Sequence, residues 1–342
     1  MRVEALGAAH GDALVVNWTG PTGVAHRGLI DGGPARHYAG LLRPALESVA
    51  AEVGGGPLGL DFVCVSHIDD DHIGGIERMF TELRRSRRDG HAPSITVDRL
   101  WFNAWEQLGM SPAATTAVAA DPVVTASVRQ GADLRDAARF LHVDANAPVG
   151  GPLLAGTVFE LDGLSVTVVA PGSSQLDKLM KVWERTEGDA TVITAGYRDR
   201  SIPNLSSIAL VVESAGRRAL LTGDARGDHL LVGLDDSGLL VDGRMHVDLL
   251  KLPHHGSINN VDVSFFAAVS ADRYVVSADG VTHGLPNTAC LDLLLASRPA
   301  GDEFEILLTN PMPAIEAHLA SAIGRRPIAV RVRADGARGI SD

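Results

Sequence analysis

The segment DFVCVSHIDDDHIGGIE, residues 61–77, limits the possible folds of this chain more than any other stretch. Phe62, Val63, Cys64 and Val65 make a continuous apolar run that reads as a buried strand. The run ends in His67, Asp69, Asp71 and His72, around a turn at 68–70. Gly74-Gly75 then opens a helix with room for close backbone packing. Carboxylates and imidazoles at this density repel one another at neutral pH unless cations sit among them. The competing reading is a solvated acidic turn, because helix N-termini favour aspartate.

Two further segments repeat the pattern. ALLTGDA (219–225) closes an apolar run with Gly223-Asp224, and VDLLKLPHHGS (247–257) closes another with His254-His255. Taken singly, Asp224 could cap a turn and the histidine pair could be a polar loop. Three strands that all finish in His or Asp point instead to one edge of a sheet, where loops from distant strands converge on shared ions. Asp12 and Asp31 also follow apolar runs and could accept the second N–H of metal-bound imidazoles. Asp31-Gly32-Gly33 reads equally well as a plain turn.

These motifs resemble the metallo-β-lactamase-fold hydrolases, whose mark is a His-x-His-x-Asp-His run, a later bridging Asp and a still later His. Here the run is His67-Ile68-Asp69-Asp70-Asp71-His72, with Asp69 in place of the second His. Together with Gly11-Asp12-Ala13, Thr222-Gly223-Asp224 and Leu250-Lys251-Leu252-Pro253-His254-His255-Gly256-Ser257, it is similar to the soluble hydrolase domain of ComEC-type DNA-uptake proteins and to phosphorylcholine esterases. The resemblance covers about residues 1–290. It implies a four-layered αββα sandwich and two divalent metal ions, zinc by default. Manganese becomes acceptable because Asp69 adds a hard oxygen ligand.

Carried over residue by residue, the resemblance gives His67 and Asp69 one metal and Asp71 and His72 the other. Asp224 would bridge them, and His255, favoured over His254, would complete the second site. His254 would face the substrate. The family's remaining site-one His has no counterpart, and Pro203-Asn204-Leu205-Ser206-Ser207 stands in its place. Asn204 or water would then complete the first site, with Asn204 and Ser207 as orienting or substrate-contacting residues. His283, in Thr-His-Gly-Leu-Pro-Asn, resembles an element that closes such sites; it also reads as a surface-loop histidine. Asp71, His254 and His283 are thus the residues expected nearest the reaction.

The chemistry follows from the ligands. Two divalent ions about 3.5–4 Å apart lower the pKa of a bridging water towards ~7 and clamp the attacking and leaving oxygens. No Gly-x-Ser-x-Gly elbow and no P-loop pattern compete with metal-assisted hydrolysis by such a bridging hydroxide. The expectation is a phosphodiesterase or nuclease acting on nucleic acid or a small phosphodiester. The alternatives are a carboxylic ester, lactone or thioester hydrolase, and a non-catalytic partner-binding module with a degraded metal site.

Composition narrows the setting. No apolar stretch reaches the ~18 residues needed to span a bilayer. The N-terminus starts directly with a strand pattern rather than a secretory signal. With only Cys64 and Cys290 there is no disulfide framework, so a reducing cytoplasm is the expected location. A net charge of −12 argues against nonspecific adhesion to nucleic acid. The basic run Arg84-Arg85-Ser86-Arg87-Arg88 reads either as a nucleic-acid grip or as cations at a helix C-terminus. The second is favoured, because the run lies roughly 15–20 Å along the helix from the metals at about 1.5 Å per residue.

The periodicity predicts strands at 2–6, 12–18, 26–31, 61–66, 93–103, 157–160, 164–169, 207–213, 218–222, 246–251, 273–277, 304–308 and 328–332. It predicts helices at 36–52, 74–88, 129–140, 288–297 and 312–323. Together they make one domain over 1–342, of mixed α/β (α+β) class, with an insertion or lid at 171–205 that includes Trp183 and Tyr197–Arg200, and a C-terminal extension at 300–342. Trp101, Phe102, Asn103 and Trp105 could line the substrate groove by base stacking, although core packing is the stronger reading in a chain with 4% aromatics.

Overall fold

In the computed structural model, residues 1–52, 54, 56–103, 122–174 and 202–342 are described. The first half supplies strands β1 (Arg2–Leu6), β2 (Leu14–Thr19), β3 (Ala25–Ile30), β4 (Leu58–Leu60), β5 (Phe62–Cys64), β6 (Ile95–Val97) and β7 (Leu100–Trp101). The second half supplies β8 (Val158–Leu161), β9 (Leu164–Ala170), β10 (Ala209–Ser214), β11 (Arg217–Leu221), β12 (Met245–Lys251), β13 (Val269–Val276), β14 (Phe304–Leu308), β15 (Ile328–Val332) and β16 (Gly339–Ser341). Helices α1 (Arg43–Glu52), α2 (Asp70–Arg88), α3 (Pro122–Leu141), α4 (Gly227–Asp236), α5 (Val263–Ala268), α6 (Thr288–Ser297) and α7 (Pro313–Ile323) connect them.

A six-stranded sheet runs β16-β1-β2-β3-β5-β7, an eight-stranded one runs β15-β14-β13-β12-β11-β10-β9-β8, and β4 pairs with β6. Alternation along the strands explains the layering. In β5, Phe62 and Cys64 join Leu210, Val212 and Val166 of the other sheet, whereas Val63, with Val65 just beyond the strand, packs with Ile76, Met79 and Phe80 of α2. In β14, Leu307 faces the inter-sheet core, and Phe304, Ile306 and Leu308 face Leu291 and Leu294 of α6. Each sheet therefore buries both faces, one against the other sheet and one under helices, which is the αββα sandwich that the sequence pattern implied. Residues 300–342 put β14 and β15 into the larger sheet and β16 onto the edge of the smaller one.

The parallel pairs set the position of the site. β3 pairs parallel with β5, β11 with β12, and β12 with β13. Each parallel crossover returns over a sheet face, so the loops leaving the carboxyl ends of these strands share one rim. That rim receives Asp31 after β3, His67–His72 after β5, Asp224 after β11, and His254-His255 after β12.

Several expectations need correction. Helix α2 begins at Asp70 rather than 74, so Asp71 and His72 lie in its first turn. The 93–103 strand is two short strands, β6 and β7. The favoured core-packing reading holds for Trp101, which is fully buried and stacks between Phe62 (4.6 Å) and Phe159 (4.3 Å). Phe102 is equally buried, and Asn103 is spent on hydrogen bonds with Leu153. Trp105, Trp183 and Tyr197–Arg200 lie outside the described residues. Of the basic run, Arg85, Arg87 and Arg88 stand in the last turn of α2, where Arg87 and Arg88 cover the Phe140 ring and Arg87 donates to the Leu141 carbonyl.

Candidate metal centre

Asp224 is the hub of the site. It follows Gly223, whose φ of +51° lets the chain turn tightly where a Cβ would stand 2.8 Å from that of Ser66. Its peptide is held on both sides: the Asp224 N–H donates to Ser207 Oγ (3.2 Å), and Asn260 Nδ2 donates to its carbonyl (3.0 Å). The two carboxylate oxygens then face two groups of side chains. Oδ1 stands 3.3 Å from His72 Nε2 and 3.6 Å from His255 Nε2, and Oδ2 stands 3.9 Å from His67 Nε2 and 3.4 Å from His254 Nε2.

The other nitrogen of each ring decides what these Nε2 atoms can do. His72 Nδ1 lies 2.9 Å from Asp31 Oδ2, and His255 Nδ1 lies 2.7 Å from the Ser277 carbonyl. Both partners only accept, so Nδ1 keeps its proton and, in the neutral ring, Nε2 offers a lone pair. For His67, Ser66 Oγ donates to Asp31 (2.7 Å), and Ser207 Oγ accepts from Asp224. Ser66 Oγ, 3.1 Å from His67 Nδ1, is thereby left to accept from its N–H, and Ser207 Oγ stands at the same distance. His67 Nε2 is buried with no hydrogen-bond partner among the described residues. The Nε2 atoms of His72 and His255 face each other at 3.3 Å. Lone pairs aimed at one another beside a carboxylate call for a cation between them.

The acidic residues complete both groups. Asp71 Oδ2 is 3.5 Å from His255 Nε2, and its Oδ1 is 4.0 Å from His72 Nε2. Asp69 Oδ2 is 3.7 Å from His67 Nε2. Asp69 has extended backbone at the N-terminus of α2, yet its side chain makes no helix cap. Asp12, His72, Asp224 and His255 each bring one ligand-type atom within 4.8 Å of the others. Asp12, however, lies behind the rings: it approaches His255 Nδ1 at 3.3 Å and pairs with Lys251 Nζ at 2.5 Å. It orients, where Asp71 and Asp224 face the Nε2 atoms.

Two consecutive left-handed residues allow His254 and His255 to address opposite oxygens of Asp224. Their φ values are +47° and +56°, between Pro253 and Gly256. Non-glycine residues in this region cost about 1–3 kcal/mol each. The surroundings hold them there: the His254 N–H donates to the Gly223 carbonyl (3.1 Å), and Asn287 N–H to the Gly256 carbonyl (3.0 Å). The His254 ring is fixed through Nδ1 by Asn260 Oδ1 at 2.8 Å.

The electrostatics favour positive charge at the centre. Burial opposes protonation of His72, yet the carboxylates of Asp224, Asp31 and Asp71 outweigh it and hold its pKa well above the ordinary 6.5. His255 is pushed up to about 9, with Asp224 and Asp12 overcoming its burial. Burial of His67, next to His72, brings it down to about 3. Asp224 sits well below its usual range despite burial, because His254, His255 and His72 face it.

Not every residue singled out from sequence joins this cluster. Asn204 lies with its amide 3.4 Å from His254 Nδ1 rather than at His67. His283 is exposed, its ring 6.4 Å from that of His10. Lys251, Ser66, Ser277 and Asn260 are the contributors that sequence reasoning missed. The available signal was a lysine set between apolar residues in LLKLP.

An αββα sandwich with carboxylates and imidazoles gathered at one rim defines a metal-dependent hydrolase. The model of the metallo-beta-lactamase superfamily matches residues 10–280, and the chain belongs to that superfamily. Microtubule-associated protein 1A of Mus musculus is 27% identical over 139 residues, covering 40% of this chain; the chain spans about 4% of the length of that curated relative. Solved structures of similar fold include Zn(2+)-bound PqqB from Methylobacterium extorquens (12% identity, TM-score 0.42, 100% of this chain and 99% of that one). Another is Tm1679, a metal-dependent hydrolase of the beta-lactamase superfamily (10% identity, TM-score 0.44, 100% and 98%).

Proposed function

We propose that this chain is a binuclear phosphodiesterase, with nucleic acid or a small phosphodiester as substrate. The observation that carries the reading is the lone-pair geometry at Asp224: Nε2 atoms fixed by their Nδ1 hydrogen bonds stand on either side of one carboxylate. His67 and Asp69 would hold one ion with Asp224 Oδ2, and Asp71, His72 and His255 the other with Asp224 Oδ1. When bound, such ions supply an ionised water at neutral pH and take up charge on the attacking and leaving oxygens.

The protein's own residues do the rest. His254 keeps Nδ1 on Asn260 and has a partly open ring, so its Nε2, once the ring is protonated, is placed to give a proton to a leaving oxygen. Asp31 and Ser66 lock the tautomer of His72, and Ser277 locks that of His255. The carboxylate-rich donor set favours hard cations, with zinc the default and manganese accepted through Asp69. Arg36 and His10, within 3.5 Å of each other, offer donors to an anionic substrate. The His67-x-Asp69-x-Asp71-His72 order supports placing the chain with the ComEC-type hydrolases. Two buried free thiols, Cys64 and Cys290, fit a reducing cytoplasm, and no described helix is long and apolar enough to cross a membrane.

Cleavage of bis-p-nitrophenyl phosphate, single-stranded DNA and an acyl-lactone panel tests the reading. We expect turnover of phosphodiesters, and loss of at least ~10³-fold in kcat for Asp224→Ala with fewer bound ions. Turnover of the acyl panel alone would reject the phosphodiesterase assignment.

A further inference from the structure

Lys251 closes strand β12, fully buried. Burying an ammonium costs several kcal/mol unless it is paired and hydrogen-bonded. Here it has three oxygens: Nζ lies 2.5 Å from Asp12 Oδ2, 2.9 Å from the Gly223 carbonyl and 3.7 Å from Asp224 Oδ1. The last is the same oxygen that His72 and His255 face. A fixed positive charge thus stands inside a cluster built to attract positive charge. It joins the carboxylate behind His255 to the turn that presents Asp224. The neighbouring carboxylates outweigh burial and favour the charged form.

We propose that Lys251 is a resident counter-cation of the metal centre. Its ammonium holds Asp12, Gly223 and Asp224 together when divalent ions are absent and opposes those ions when they are present, chiefly on the Asp71–His72–His255 side. The centre can then exchange ions without coming apart. This inference rests on the metal-binding reading above.

Full-length wild type, Lys251→Gln, Lys251→Met and Asp12→Asn are compared for thermal midpoint, metal-free and loaded with Mn2+ or Zn2+, and for ion affinity by chelator competition. Removing one unit charge from the cluster is expected to tighten the ion on the Asp71–His72–His255 side by on the order of tenfold in both Lys251 variants. Linkage then requires the midpoint loss to be smaller in the loaded protein than in the metal-free one, by at least ~2 °C. Asp12→Asn should act with the opposite sign and weaken the ion. Equal losses in both states, or weaker binding in Lys251→Gln, overturn the proposal. Failure of both Lys251 variants to fold even with metal also overturns it, because the lysine is then required for more than its charge. If wild type itself binds no ion, the metal-centre reading fails instead.

Discussion

An imidazole with one nitrogen committed to an acceptor has no choice about the other. Asp31 makes that commitment for His72, and it does so from a left-handed backbone with φ of +59°, hydrogen-bonded also to Ser66 N–H and Oγ. Asp31→Asn replaces an acceptor-only group by an amide that can turn its donor to the ring. We expect a 10–100-fold loss of metal affinity for this variant, the usual scale for such partners. Isothermal titration with Mn2+ checks it, and an unchanged affinity would remove Asp31 from the account. Asp12 and Asp31 were visible in the sequence because each stands beside an apolar run. The division of labour between His254 and His255 was available only through the resemblance, because the two successive left-handed residues that produce it are not revealed by adjacent letters. Lys251 was hidden for another reason: a lysine in a motif reads as a solvated charge, and only burial shows it to be internal.

At the scale of elements, the entry of α2 decides where its acidic first turn points. Gly75 packs against the loop after β3 so closely that a Cβ there would meet the Gly32 carbonyl oxygen at 2.0 Å. Backbone cannot yield as a side-chain end can. Gly75→Ala should therefore cost roughly 3 kcal/mol or more, measured by urea unfolding, and displace Asp71 and His72. A loss below about 1 kcal/mol would show that the contact is slack. The pattern placed the helix start at 74 because paired glycines look like a boundary; Asp70 and Asp71, suited to a helix N-terminus, carry it four residues further back. β4, β7 and β16, of two or three residues each, are too short for periodicity to register. The aromatic residues at 101–102 follow the favoured core-packing reading. Trp101 is the centre of a stack between the sheets, and Trp101→Ala should cost about 3–5 kcal/mol as a cavity mutation rather than alter substrate affinity.

Across the whole molecule, His26 ties the two sheets together from the opposite end of β3 to Asp31. His26 on β3 meets Asp61 at 2.7 Å through Nδ1 and Asp162, in the β8–β9 turn, at 2.8 Å through Nε2, beneath a stacked Trp18 ring. Burial opposes its charge, but hydrogen bonds to Asp61 and Asp162 prevail and raise its pKa above 6.5. A raised folded pKa means that the clasp contributes fully below about pH 6.5 and fades as pH climbs through the folded value. Unfolding midpoints measured from pH 6 to 9 should fall for wild type, and this part of the slope should vanish in His26→Asn. An identical slope in both would assign it elsewhere.

The sandwich and the site meet in one proposal: loops from β3, β5, β11 and β12 would hold two cations on either side of Asp224. Anomalous diffraction from crystals of the full chain grown with Mn2+ or Zn2+ tests it most directly. The account predicts two peaks about 3.5–4 Å apart, one beside His67 and Asp69 and one among Asp71, His72 and His255, with Asp224 between them. A single peak elsewhere, or none at saturating metal, would contradict it.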